Sequence, residues 1–155
     1  MEAFRAIHRA LGGITVLAAL AVISCGCSST PTPAATASLA ISDAWARPAT
    51  VGSDSAAYLT IVNPGPADAL LSVRCTIAGV TMLHETSTDA SGMTGMSMVG
   101  VLAVPASATV RLQPGGLHVM IGGLDTTLSV GDEVELELVF QHAGTIVVPA
   151  AVRAG

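Results

Sequence analysis

The sequence predicts an all-β fold, an antiparallel sandwich or barrel, over most of its length. Short apolar runs recur and are separated by turn-forming residues, such as Asn63-Pro64-Gly65 and Pro114-Gly115-Gly116. No run shows sustained helical periodicity, and a spacing of about 8–12 residues is typical of short strands joined by turns. We therefore expect about eight to ten strands.

Each predicted strand stops where turn residues begin. In chain order the strands are AAYLTIV (56–62), ALLSVRCTI (69–77), VGVLAV (99–104), ATVRL (108–112), LHVMI (117–121), EVELELVF (133–140) and TIVVPA (145–150). In the run that starts at Glu133, acidic and aliphatic residues alternate, as in a strand with one face in water. Those acids are predicted to be a solvated face and not a site.

The N-terminus has the pattern of a lipoprotein signal. Arg5 and Arg9 precede an uncharged apolar run at 11–23, which is shorter than the about 20 residues that a membrane-spanning helix needs. The run ends at Val22-Ile23-Ser24-Cys25, which resembles a bacterial lipobox, in which the cysteine is diacylated and becomes the mature N-terminus. Cys25 is the predicted lipidation site. Cys27 is the alternative, and an ordinary signal peptide with two incidental cysteines is a third interpretation.

These features predict three segments. Residues 1–24 are a lipoprotein signal peptide, 25–38 a lipidated flexible tether of small, uncharged and proline residues, and 39–155 one β-sandwich domain. The chain is thus expected to be exported and lipid-anchored to the cell membrane, facing the periplasm or the cell exterior. Without the signal, four arginines stand against ten acidic residues, a net charge of −6, which disfavours nucleic acid as a partner.

Sulfur is concentrated in one part of the chain. Five of the six methionines and two of the four histidines lie between Met82 and Met120. Because side chains alternate along a strand, His118 and Met120 are expected on one face, opposite the apolar residues that flank them. The same parity places Met82 with His84. Methionine is also a common core filler, but accidental packing does not account for this concentration.

The segment at 85–95, ETSTDASGMTG, is polar and contains glycine, so we expect a hairpin loop that folds the following methionines back over the end of the sheet. Thioether sulfur is a soft, neutral ligand and imidazole is borderline, a combination that suits Cu(I). Zinc sites use thiolate, imidazole or carboxylate instead. The cluster therefore predicts a Cu(I) site.

The same residues resemble the periplasmic copper chaperones of the PCu(A)C family. That family carries a histidine followed by glutamate, a loop ending in Met-X-Met, and Gly-Gly-X-His-X-Met, which match LHET, GMTGMSM and PGGLHVM here. The segments DAWAR, AAYLTIVNPG and VPASATVRLQPGG are similar to the family's flanking segments. The resemblance covers nearly all of residues 39–151.

The resemblance implies a cupredoxin-like Greek-key sandwich that binds one Cu(I) through two histidines and two methionines. By position it assigns His84, His118 and Met120 as ligands. The loop after His84 is one residue longer than the family's spacing, but the twenty-one residues between Met96 and His118 agree with it, so Met96 is the predicted fourth ligand. The methionines Met98, Met93 and Met82 remain candidate additional or substitute ligands.

The resemblance also implies a partner. Family members pass copper toward the CuA centre of cytochrome c oxidase or to other acceptors, so the expected partner is a copper-accepting protein, such as a cytochrome c oxidase subunit or assembly factor. The membrane is contacted through the N-terminal lipid.

Other classes of protein fit the sequence less well. An electron-transfer cupredoxin needs a cysteine thiolate beside its histidines, but Cys75 precedes His84 and is expected to be a small buried hydrophobe. A ligand role or an intermolecular disulfide for Cys75 is the alternative. No spacing brings together a nucleophile, a base and an orienting group, so we do not expect an enzyme. A structural or adhesive lipoprotein with an immunoglobulin-like sandwich and no metal is the remaining alternative.

Cys25→Ala should abolish the lipid anchor, because the diacylated cysteine would be lost. Mass spectrometry of the protein extracted from membranes should find a mature chain that begins at Cys25. Cys27→Ala is the matched control and should leave detergent partitioning unchanged. If instead Cys25→Ala partitions normally and Cys27→Ala does not, Cys27 is the acylated residue.

Overall fold

The computed structural model, which describes residues 38–155, contains ten β strands, seven of which overlap the predicted apolar runs. The strands are β1 (Ala40–Ala46), β2 (Ser55–Asn63), β3 (Asp68–Cys75), β4 (Ala78–Thr88), β5 (Thr94–Met98), β6 (Leu102–Val104), β7 (Ala108–Leu112), β8 (Leu117–Leu124), β9 (Glu133–Phe140) and β10 (Thr145–Val152). The part of the chain described contains no helix. The predicted all-β fold is confirmed, whereas the predicted signal, tether and lipidated cysteine lie outside the described residues.

The strands are hydrogen-bonded in the order β5-β4-β8-β2-β1-β10-β9-β3-β6, and β7 pairs with β2. Neighbours that are distant in sequence, such as β4 with β8 and β3 with β9, are the crossovers expected of a Greek-key sandwich. All the pairs are antiparallel except β1 with β10, which run parallel. These are the first and last strands described. Because no short turn joins them directly, they can pair in parallel.

Alternation along the strands separates the core from the surface. On β9, Leu136 and Leu138 are fully buried, while Glu133 and Glu135 are exposed, as the sequence pattern predicts. Glu137 lies 3.8 Å from Arg74 of β3 in an ion pair at the surface. The apolar residues of the ten strands form one contiguous core.

Cys75 belongs to that core. Its side chain is 8% exposed at the end of β3, and burial raises the pKa of its thiol. It is a free cysteine, packed as a small hydrophobe.

The segment after His84 differs from its prediction. Instead of a loop over 85–95, β4 continues to Thr88 and β5 begins at Thr94, so that only a tight turn joins them. The polar residues Thr86, Ser87 and Thr88 each pair with a residue of β5. The hairpin is largely exposed to water and needs no apolar alternation, which is why the sequence pattern did not reveal its strands.

Nowhere in residues 38–155 is there a helix with the length and apolar character that crossing a membrane requires.

Leu136→Ala should lower the free energy of unfolding of the metal-free protein by about 2–5 kcal/mol, because it leaves a cavity in the core. The strands supply this core without any ligand, so the metal-free protein should unfold cooperatively in urea. Leu71→Ala makes the same change at a side chain that is 41% exposed and should cost about 1 kcal/mol or less. Equal losses for the two variants would contradict the assignment of the core.

Candidate metal centre

The register of β4 and β8 brings the predicted ligands together. His84 lies directly opposite His118, and Met82 lies directly opposite Met120. Directly opposite residues in an antiparallel pair point to the same face, with Cβ atoms about 4.5–5.5 Å apart. Leu83 and Val119, the pair between them, point to the other face and are buried in the core. The histidines and methionines therefore share the outer face of the sheet.

Strand β5 adds two methionines to this face. Met98 lies opposite His84, and Met96 lies opposite Thr86, one step nearer the turn. Met93 instead precedes β5 in the turn and is 70% exposed. The hairpin thus carries Met96 and Met98 alongside His84 and leaves Met93 away from the strand face.

One direct contact joins the hairpin to the histidines. The Nδ1 atom of His84 lies 3.1 Å from the Sδ atom of Met96. A metal ion bound at about 2.0 Å to nitrogen and 2.3 Å to sulfur would separate these two atoms by about 3.0–3.5 Å, depending on the angle at the metal. The observed distance is therefore compatible with both atoms binding one ion. The ring of His84 also meets the ring of His118 edge-on, with 5.9 Å between their centroids.

His118 is held in a defined orientation. Its Nδ1 atom lies 3.0 Å from the carbonyl oxygen of Gly116, and since a carbonyl only accepts, Nδ1–H is the donor. This leaves the lone pair of Nε2 available to a metal, as in protein sites where a second hydrogen bond fixes the imidazole tautomer. The turn before β8 supplies the carbonyl, and Gly115 takes a φ of +80° there, which favours glycine.

Tyr58 packs next to His118, and Trp45 packs against Tyr58. The ring of Tyr58 lies 6.4 Å from that of His118 and 4.6 Å from that of Trp45, measured between centroids. His118 is only 7% exposed and Tyr58 only 5%. Sequence reasoning did not identify these two aromatics as part of the site, although they lie in the DAWAR and AAYLTIVNPG segments.

An open cleft of about 740 Å³ borders the cluster and is lined by Met96, His118 and Met120. Arg47 and Asp54 also line it. Met82 and Met98 line a different, smaller depression of about 160 Å³. The structure thus places Met96, His118 and Met120 along one cleft, with His84 in contact with Met96, whereas Met82 and Met98 line a separate depression.

The donors available there are unusual for a metal centre. Across residues 38–155, no group of three or more histidine, cysteine, aspartate or glutamate side chains is placed to hold a metal ion. Glu85 is the neighbour of His84 in β4, and strand alternation points it to the opposite face. A metal bound at this cluster would therefore depend on thioether sulfur.

His142 lies away from the cluster. It is in the turn between β9 and β10, where its backbone N–H donates to Asp68, and it lines a cavity with Leu39 and Ile146. Burial raises the pKa of the Asp68 carboxyl, but hydrogen bonds from three backbone N–H groups outweigh this and lower it. Asp68 thus organises this turn, and His142 shares no cavity with the predicted ligands.

The fold and the cluster define the class: a small Greek-key β domain with imidazole and thioether groups on the outer face of its sheet. The chain belongs to the LpqE-like family, since the family model described as "Putative lipoprotein LpqE-like" matches residues 39–152. It is 31% identical over 114 residues to "Putative lipoprotein Lxx21020" of Leifsonia xyli subsp. xyli (strain CTCB07), a match that spans 73% of this chain and 68% of that protein.

Solved structures resemble the domain as well. The copper-bound PCuAC domain from PmoF2 matches with a TM-score of 0.63 and 24% identity, covering 79% of this chain and 97% of that one, and shows a shared fold. The solution structure of CuI-DR1885 from Deinococcus radiodurans matches with a TM-score of 0.54 and 36% identity, covering 73% and 78%. The predicted resemblance to the PCu(A)C family is confirmed, and with it the expectation that the chain is not an enzyme.

Asp89→Ala should loosen the turn that positions β5. The Oδ1 atom of Asp89 accepts hydrogen bonds from the hydroxyl and N–H of Ser91, at 2.6 and 2.9 Å, and from the N–H of Met93, at 2.9 Å. Amide hydrogen exchange at Ser91 and Met93, measured by NMR, should become faster in the variant. Asp125→Ala, which removes an exposed carboxylate after β8, is the control and should leave both rates unchanged.

Acid should also loosen this turn in the unsubstituted protein, seen as reduced protection of the Ser91 and Met93 amides relative to unstructured amides at the same pH. The Ser91 hydroxyl, followed by the Met93 N–H, lowers the pKa of Asp89. Its contribution to stability is therefore complete above the ordinary aspartate pKa of about 3.9 and is lost as the pH falls through the lowered folded value. Exchange at Ser91 that does not respond to Asp89→Ala would contradict this role.

Proposed function

We propose that this chain is an extracytoplasmic copper chaperone that binds one Cu(I) through His84, Met96, His118 and Met120 and delivers it to a cuproprotein. The observation that carries the proposal is the 3.1 Å contact between His84 Nδ1 and Met96 Sδ, beside His118 on the face opposite the core. The likeness to a copper-bound PCuAC domain and to CuI-DR1885 supports copper as the metal.

The donor set favours Cu(I) over other ions. Two imidazoles and two thioethers are neutral, so no ligand charge offsets a divalent cation, and the soft sulfurs select a soft ion. Magnesium, calcium and manganese prefer oxygen, and zinc prefers thiolate, imidazole or carboxylate. The monovalent Cu(I) ion is the biological metal that best suits this combination.

The ligands differ in how firmly they are held, which suits a carrier. His118 is buried and fixed by the Gly116 carbonyl, whereas Met96 lies on the terminal strand of the sheet and is 59% exposed. A donor that can move away from the ion opens a coordination position for the ligand of an acceptor. We infer that exchange begins at Met96.

Delivery would take place outside the cytoplasm. The lipoprotein relatives support an exported, membrane-anchored chain, with Cys25 or Cys27 as the acylated residue. A lipid anchor and a tether would keep the domain near membrane-bound acceptors. The CuA centre of cytochrome c oxidase, reached directly or through an assembly factor, is the acceptor that we propose.

The electron-transfer alternative lacks its thiolate, because Cys75 is buried in the core and the cluster lies on the outer face. The alternative of a structural lipoprotein without a metal is separated from our proposal by a Cu(I) titration against a competing chelator. Binding of a first equivalent of Cu(I) in competition with the chelator supports the chaperone, and a failure to take any Cu(I) from the chelator supports the structural role.

Met96→Leu should weaken Cu(I) binding by about tenfold or more, equivalent to about 1.4 kcal/mol, because it keeps the side-chain volume and removes the sulfur. Competition titration of the purified protein measures this. Met93→Leu and Met98→Leu are matched controls and should each have a clearly smaller effect. His142→Ala should change the affinity by less than about twofold, since it removes a side chain from a distant turn.

If Met98→Leu is the most damaging of the three methionine variants, the fourth ligand is Met98 and not Met96. A loss for His142→Ala as large as that for His118→Ala would show that the turn after β9 reaches the metal.

A further inference from the structure

Two methionines on the ligand face have no role in the four-ligand site. Met82 and Met98 line one shallow depression beside that site, together with Leu71, Val99 and Gly100. Neither methionine lines the cleft formed by Met96, His118 and Met120. Met82 and Met98 thus share a second depression, which residues of β3 also line.

The strand register brings these two sulfurs within reach of one ion. Met98 lies opposite His84, and Met82 lies two residues before His84 on β4, so Met82 and Met98 are diagonal neighbours across the β4–β5 pair. Diagonal Cβ atoms on one face are about 7–8 Å apart. Each sulfur lies two bonds beyond Cβ on a flexible chain, so both can turn toward a common ion at a bond length of about 2.3 Å.

The lining of the depression selects the kind of ion. Its lining includes Ser72, Thr81 and Leu71, the last of which is 41% exposed, and no charged residue. Without a carboxylate it offers little to a hard cation, whereas two thioethers suit a soft, monovalent one. Met98 is 69% exposed, so the depression is accessible from solvent.

We propose that Met82 and Met98 form a second, weaker Cu(I) station next to the four-ligand site; this rests on the proposed function. His84 directly opposes Met98, and Met120 directly opposes Met82, so each methionine of the station adjoins a ligand of the first site. The ion moves between them by exchange of neutral ligands. It remains Cu(I), and neither an electron nor a proton is transferred.

NMR of the purified protein carrying methyl-¹³C methionine tests this directly, because each of the five methionines that follow the predicted signal peptide gives its own methyl signal. Cu(I) is added anaerobically, and the signals are assigned from single Met→Leu variants. The first equivalent should shift Met96 and Met120. Further Cu(I) should shift Met82 and Met98, with an affinity about tenfold or more weaker since the station has no imidazole, and should leave Met93 in place.

Met98→Leu, at an exposed position, should remove the second step and preserve the first, and Met93→Leu should preserve both. The station is overturned if Met82 and Met98 shift together with Met96 in the first equivalent, or if they never shift. A first equivalent that moves neither Met96 nor Met120 would instead overturn the four-ligand site, so the two proposals fail in different ways.

Discussion

The pairing of β4 with β8 is the constraint on which the rest of this structure depends. The pair Leu83 and Val119 is buried, and the flanking pairs, His84 with His118 and Met82 with Met120, face outward. A slip of one residue would send the histidines into the core and the aliphatic side chains into water. The free energy of burying the aliphatic row therefore also fixes the positions of the proposed ligands, and no separate interaction is needed to bring them together.

The proposed ligands are held more rigidly in the interior of the sheet than at its edge. Toward β2, His118 is backed by Tyr58 and Trp45 and hydrogen-bonded to the turn that contains Gly115. Toward β5, the side chains are exposed, and the strand is held on one side only. Rigid positioning lowers the cost of binding an ion, and a looser edge lowers the barrier to releasing it. Both properties are useful to a protein that carries a metal without keeping it.

Much of this arrangement could be predicted from the sequence, because strand alternation is a local property. The apolar runs located seven of the ten strands, and parity placed His118 with Met120 and Met82 with His84. The extent of the β4–β5 hairpin could not be predicted, since its exposed Thr and Ser residues carry no burial pattern. The support that Tyr58 gives to His118 and the parallel pairing of β1 with β10 depend on strand order, which a single sequence does not encode locally.

The position of the Cys75 thiol, away from the proposed site, agrees with the chemistry of that site. A thiolate would bind Cu(I) strongly, but outside the cytoplasm it would also be open to oxidation. Cys75 is instead packed in the core, where burial raises the pKa of its thiol and disfavours the thiolate that would compete for the ion. On the outer face Cu(I) would meet neutral sulfurs that carry no proton to lose and form no disulfide. A carrier of this kind would have a lower affinity for Cu(I) but would resist oxidation and release the ion more easily, and the sandwich provides for this by keeping the thiol in the core and the thioethers outside it.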